Sequence, residues 1–305
     1  MHIPKSLGKS KTGFVKGAVI LAVAGVICRL LGVVFRIPLS NIIGNYGIGL
    51  YQLVFPLYSL LLIISSAGVP VAISKMVARE RDNKPKCKKI LFNSTVALSA
   101  VGLVLAVLFA VFCKPIAGFQ GKSEIWTLYL AIAPSVFFVC FISAFRGYFQ
   151  GLNNMLPTAI SQIVEQIVKV GAGLTLAFIL VKQSVLLAVF GAILAVSISE
   201  LTATIFLCIF YFCHNRKQNA KQHTARNNGR NGNQNAPNNT KENAEHNESG
   251  EKSTEKNVTD NKKNAKQHAK PKMRCKIDWQ IIRQIFITAV PITLMSIVFP
   301  SVLMF

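Results

Sequence analysis

Charge is scarce in this 305-residue chain. Asp, Glu, Lys and Arg make up 15% of it, against about 25% in an ordinary soluble domain. Acid is scarcer still, with 12 Asp and Glu beside 34 Lys and Arg. So little charge excludes a wholly water-facing molecule, and part of the chain must have another solvent. Paired cysteines are lacking too. Cys28, Cys87, Cys113, Cys140, Cys208, Cys213 and Cys275 are scattered and form no Cys-x-x-Cys, so they read as small apolar packing residues rather than disulfide partners. There is no Walker motif, no nucleophile–base arrangement and no metal-ligand spacing. His214, His223, His246 and His268 are too dispersed to share a metal. The residues point to no enzyme chemistry, no metal and no cofactor.

What the chain has is apolar length. Runs at Gly17–Ile43, Gly47–Ile73, Ile90–Phe112, Ile125–Phe145, Leu156–Val181 and Ser184–Phe212 carry almost no charge, and a seventh starts near Ile281. Each is about 20 residues or more, enough to cross a bilayer core as a helix. None alternates apolar with polar, so barrel strands are excluded. The expected class is an all-α polytopic membrane helix bundle. A signal peptide does not explain the first run, which continues past Arg29 without a small-residue cleavage site.

The net charge of +22 is unevenly placed, and its placement argues for topology rather than for nucleic acid. Residues 75–89 hold seven basic and two acidic side chains, and residues 214–276 hold fifteen and six. The loops after runs one, three and five are nearly uncharged. Basic loops stay in the cytoplasm. This predicts a multi-pass chain with a cytoplasmic N-terminus and even-numbered spans that end inside. Arg146 falls in the loop after the fourth run on this reading. Residues 214–276 are rich in Asn, Lys, Glu and Gln and cannot bury enough surface to offset ordering entropy. The expected organisation is a six-helix lobe over 1–213, a disordered basic linker over 214–276, and a truncated seventh helix over 277–305.

Some charges remain inside the apolar runs. Arg29 and Arg36 in "ICRLLGVVFRIPL" are seven residues apart, so on a helix they share a face and lie about 10 Å apart along the axis. A central membrane arginine costs about 2.5–3.5 kcal/mol. Arg36 can snorkel to an interface. Arg29 is too deep for that, which suggests a wet cavity. In "LPTAISQIVEQIVKV", Gln162, Glu165, Gln166 and Lys169 form one polar stripe at i, i+3, i+4 and i+7. Glu165 and Lys169 have the favourable order for an ion pair. Glu200 in "SISELTAT" adds a second acid at similar depth. The stripe is either a self-satisfied pair between helices or the wall of a substrate path, and Glu165 with Glu200 are candidate cation-coupling acids. "GNYGIG" at 44–49 reads as the turn between runs one and two, not as a dinucleotide loop.

Several strings go beyond composition: "FRIPLSNIIGNYGIGLYQLVFPLY", "SSAGVPVAISKMVA", "APSVFFVCFISAFRGYFQGLNNMLPTAISQIVEQIVKV" and "AVPITLMSIVFP". With them the chain resembles the stage V sporulation protein B / polysaccharide transport branch of the multidrug/oligosaccharidyl-lipid/polysaccharide exporter superfamily, whose relatives include lipid II flippases. The resemblance implies two six-helix lobes around a central cavity, as in multidrug and toxin extrusion transporters. It implies alternating access that moves an undecaprenyl pyrophosphate-linked sugar across a bacterial plasma membrane, with membrane lipids as the other partner. It also implies first-helix arginines that contact the pyrophosphate. Arg29 and Arg36 match that context, except that Ile37 stands where those flippases tend to carry an acid. The chain would supply one lobe and the start of the second, which is expected to leave it inactive alone. A multidrug/cation antiporter of the same fold and a non-transporting membrane scaffold are the alternatives.

Overall fold

With no water to serve the backbone in a bilayer, a run of Leu, Ile and Val satisfies its N–H and C=O groups only by coiling into a helix. The computed structural model describes residues 6–66, 68–232 and 278–302, with side-chain placement for 15–63, 68–216 and 278–293. Among these residues there are helices and turns and no strand. The helices are α1 (Ser6–Ser66), α2 (Val69–Arg79), α3 (Lys84–Phe119), α4 (Trp126–Gly151), α5 (Leu156–Leu180), α6 (Val185–Gly232) and α7 (Trp279–Val302), with a 3-10 turn at Ser123–Ile125. Five helices among the described residues are long and apolar enough to cross a membrane. The chain is an all-α polytopic membrane bundle.

Helix α1 is far longer than one crossing and is broken at Gly44, whose φ of 65° and ψ of −177° suit glycine alone. Side-chain pairs fix the direction of each arm. The arm before Gly44 runs parallel to α5: Gly17 meets Met155, Gly32 meets Gln166, and Phe35 meets Gly173. Helix α5 is antiparallel to α6, with Gly173 near Ala195 and Gly191 against Leu176 and Leu180. Helix α6 is parallel to α4, since Ser197 Oγ donates to the Ala131 carbonyl at 2.7 Å while Phe210 packs on Phe149. The arm of α1 after Gly44 is parallel to α4 as well, with Tyr129 Oη 3.3 Å from the Leu53 carbonyl. The two arms of α1 therefore run in opposite directions, and the chain reverses at Gly44. Gly47 makes the reversal possible, because a Cβ there would lie 2.6 Å from the Ile43 Cβ. "GNYGIG" is the expected turn.

The second run differs from the expected uninterrupted helix. Its helix ends at Ser66 and a new one starts at Val69, where Pro70 occupies the first turn. The break does not end the crossing. Leu53 pairs with Tyr129, Pro70 with Gly147 and Ser74 with Gly151. That is an offset of 76–77 residues held across the break, so the second arm of α1 and α2 follow α4 as one broken span. Gly147 and Gly151 allow it: a Cβ on either would come within 2.9 Å of α2 atoms.

Helix α4 is the buried centre, while α1 and α5 keep most of their surface outside the protein. Val19, Val23, Val26, Leu30, Val33 and Ile37 form an exposed apolar flank of α1, a surface that water would not tolerate at this size. Two apolar cores flank a polar layer. One gathers Leu50, Tyr58, Tyr129, Ile132 and Ile193. The other gathers Ile73, Val77, Ile90, Phe149 and Leu207. Between Val196 of the first and Ala203 of the second lie the buried Ser197, Ser199 and Glu200. Helix α7 packs on α2 and α3. Its Ala289 carbonyl is so close that a Cβ on Gly68 would collide with it, and Lys89 of α3 pairs with Asp278 at 2.8 Å.

By its contacts the chain divides into two units, Met1–Cys213 with Ile277–Phe305, and His214–Lys276. The described part of the second unit is the distal end of α6, helical to Gly232, where a linker starting at His214 was expected. Extending an existing helix needs no nucleation, and Lys, Gln, Arg and Ala serve well there. The rest of the expected linker lies outside the described residues.

Candidate functional site

Arg146 is the residue that a one-dimensional reading misplaces. It is not in a loop. Helix α4 continues to Gly151 and turns Arg146 inward. Its Nη2 donates to Glu165 Oε2 of α5 at 2.7 Å, and its Nε approaches Ser161 Oγ at 3.4 Å. The Arg146 and Glu165 side chains are only 19% and 15% exposed. Lys169 stands one turn beyond Glu165, its Nζ 3.9 Å from Oε1. The ion pair expected between Glu165 and Lys169 exists, but it is the weaker of two. At that length it is a charge–charge contact and not a hydrogen bond.

Glu200 completes the group from α6. Its residue is 4% exposed, and its carboxyl lies at hydrogen-bonding range of the Glu165 carboxyl. Its Oε2 has no hydrogen-bond partner among the described residues. Tyr58, 1% exposed, faces both acids from the second arm of α1. Cys28, on the first arm, feels Glu165, Arg146 and Lys169. Both arms of α1 together with α4, α5 and α6 thus converge on one polar cluster inside the bundle. Gln166 is turned towards Gly32. Gln162 is half-buried, with its Oε1 unpartnered among the described residues.

Arg29 and Arg36 stand apart from this cluster. Both are exposed, and neither forms a hydrogen bond or ion pair with the described residues. Cys28 and Gly32 mark the stripe of α1 that faces α5. At about 100° per residue, Arg29 and Arg36 lie about 80–100° round the helix from Cys28. They share a face with each other, as their spacing predicts, but it is not the face that meets Glu165. The six expected substrate-contacting residues therefore separate into a half-buried group on α5 and an exposed pair on α1. Arg146, Ser161 and Tyr58 join the group on α5 unforeseen. The missed signal was Arg146 in "SAFRGYFQG": an arginine with no acid within two turns, followed by a helix that carries Glu165.

Residues 14–234 match the family described as polysaccharide biosynthesis protein. The chain belongs to that family. It is 36% identical over 202 residues to stage V sporulation protein B of Bacillus subtilis, a match covering 65% of this chain and 39% of that protein. It is 30% identical over 178 residues to the lipid II flippase MurJ of the same organism, covering 55% and 33%. The chain thus spans about two fifths or less of these curated relatives. Among solved structures it resembles a MATE transporter in complex with MaD3S, with TM-score 0.60 and 15% identity, covering 67% of this chain and 46% of that one. It also resembles a MOP superfamily transporter of Pyrococcus furiosus, with TM-score 0.54 and 17% identity, covering 65% and 44%. At such identity the likeness is one of fold. This member of the polysaccharide biosynthesis family shares its helical fold with these two transporters, and its relatives include a lipid II flippase.

Proposed function

We propose that the protein to which this chain belongs is a flippase for lipid-linked sugar precursors of a bacterial envelope, and that this lobe contributes cationic contacts for the pyrophosphate of an undecaprenyl carrier. The carrying observation is the inward-facing Arg146 and Lys169 with the unpaired Arg29 and Arg36 on the neighbouring helix. A pyrophosphate crossing a bilayer needs such partners in a low-dielectric cleft, where an arginine fork grips two oxygens at once. Gln162 and Gln166 would add hydrogen bonds for the sugar, and Glu165 would hold Arg146 and Lys169 in place. The family match and the relation to a lipid II flippase support the transport class.

The test is lipid-linked precursor flipping in proteoliposomes by a full-length version. Arg29→Ala and Lys169→Met should each abolish or strongly slow flipping, and Arg36→Ala should slow it less, being near the end of its span. Full flipping by both Arg29→Ala and Lys169→Met would refute the reading. A cation antiporter of the same fold is the second reading, favoured by one observation: the buried Glu200 carboxyl facing Glu165.

A further inference from the structure

We propose that the cluster of Tyr58, Arg146, Glu165, Lys169 and Glu200 is a proton-linked anion site, in which Glu200 binds a proton together with a phosphate-type anion. The inference rests on the flippase reading only for the source of the anion. The site itself follows from the charges. Two cations, Arg146 and Lys169, face two carboxyl groups, Glu165 and Glu200. Arg146 is directed at Glu165 and Ser161. The Lys169 ammonium makes no hydrogen bond with the described residues, although its side chain is only 17% exposed. An ammonium with three donors and no acceptor, held out of bulk water, calls for an anion.

Glu200 supplies the second observation. It is 4% exposed, and one of its oxygens has no partner among the described residues. The groups facing it are Tyr58 from α1, Arg146 from α4, and Glu165 and Lys169 from α5. When Glu200 is ionised the four charges sum to zero, and an added anion meets a neutral cluster with a carboxylate beside it. When Glu200 is protonated the cluster carries one net positive charge, its O–H can donate to Glu165, and an anion balances it. Proton and anion thus favour each other's binding, and by reciprocity each raises the other's affinity by the same factor. An antiporter requires the opposite, since there the proton excludes the cargo.

The experiment uses the 305-residue chain in detergent micelles with sulfate as the probe, because sulfate does not titrate near neutral pH. Calorimetry in two buffers of different ionisation enthalpy counts protons. The expected result is an uptake of about one proton per sulfate bound on the basic side of the Glu200 titration, with affinity falling there by about tenfold per pH unit. Glu200→Gln, neutral at every pH and similar in shape, should bind sulfate as tightly as the wild type at its acidic limit, with no pH dependence. Glu165→Gln, which leaves two cations, should bind more tightly than wild type. Sulfate binding without proton uptake would overturn the inference and leave the anion reading standing. No binding at any pH would overturn both. Displacement of sulfate by undecaprenyl diphosphate at lower concentration than by inorganic pyrophosphate would support the site and assign it a lipid headgroup. The reverse order would support it as a site for a free anion.

Discussion

Arg146→Met would leave Glu165 in the bundle interior with Lys169, 3.9 Å away, as its remaining cation. The attraction lost is sizeable. Two unit charges about 4 Å apart are worth about 4 kcal/mol at an effective dielectric of about 20. Stranding one partner of a buried pair costs about 3–5 kcal/mol. Lys169 and the residual exposure of both side chains reduce this, so the expected loss is about 3 kcal/mol, at the lower end of that range. Glu165→Leu, which strands two cations, should cost a similar amount. The double variant replaces the pair by apolar side chains of similar volume but leaves Lys169 without Glu165, so it should lose no more than the roughly 3 kcal/mol of either single variant. The coupling energy would then be well above the roughly 0.6 kcal/mol typical of interhelical hydrogen bonds in membrane proteins, and above their maximum of about 1.7. Reversible unfolding by SDS in mixed micelles measures the cycle. If the single losses simply add, within about 0.5 kcal/mol, then Arg146 and Glu165 are not partners and the cluster is misassigned.

Gly44→Ala should destabilise the lobe by about 1–3 kcal/mol through backbone strain alone, because no atom lies near its missing Cβ. Gly49→Ala, equally open but without the unusual φ, should be neutral in the same unfolding assay. Gly147→Leu should separate α2 from α4 and lower the yield of folded protein, since even a Cβ would lie 2.8 Å from the Pro70 carbonyl. The Lys89 amine, through its hydrogen bond, holds the Asp278 carboxyl below the usual carboxylate range. Its contribution to docking α7 is therefore present above the ordinary carboxylate pKa of about 4 and lost as pH falls through the lower folded value. Amide protection in the first turn of α7 should fall only in strong acid, and Lys89→Gln should flatten that acid limb. Cysteines placed at Ser123 and at Asn153 should react from opposite sides of the membrane, and labelling of both from one side would contradict the helix directions.

The polytopic all-α class was legible because apolar length is a local property. Each run is long enough by itself, and the uncharged "GNYGIG" sits where the chain must turn. The break at Ser66–Val69 was less legible. "SSAGVPV" carries both Gly68 and Pro70, but the apolar run passes through them without a change of solvent. What keeps the two pieces in one crossing is their common partner: α4 meets both at an offset of 76–77 residues, and its own Gly147 and Gly151 admit α2. That register is a relation between helices, and no periodicity within either helix encodes it.

The site was half legible for the same reason. Gln162, Glu165, Gln166 and Lys169 stand out because a polar stripe on one helix is a repeat of 3.6 within one string. Their strongest partner, Arg146, lies on another helix, nineteen residues earlier, where it looks like a charge at the end of a run. Two facts could have placed it inside. "SAFRGYFQG" carries no further charge beyond Arg146 and has Gly147 and Gly151 one turn apart, as a helix packed closely against a neighbour does, and Glu165 with Glu200 makes two acids where Lys169 supplies one cation. Charges inside a bilayer are costly singly, so those of α4, α5 and α6 have to be read as one group. Applied to Arg29 and Arg36, the same argument gives the opposite answer. Both are exposed, with no acid in reach among the described residues, so any partner they take must come from outside those residues. An anionic headgroup would meet that need, and the exposed face of α1 is where it would have to approach.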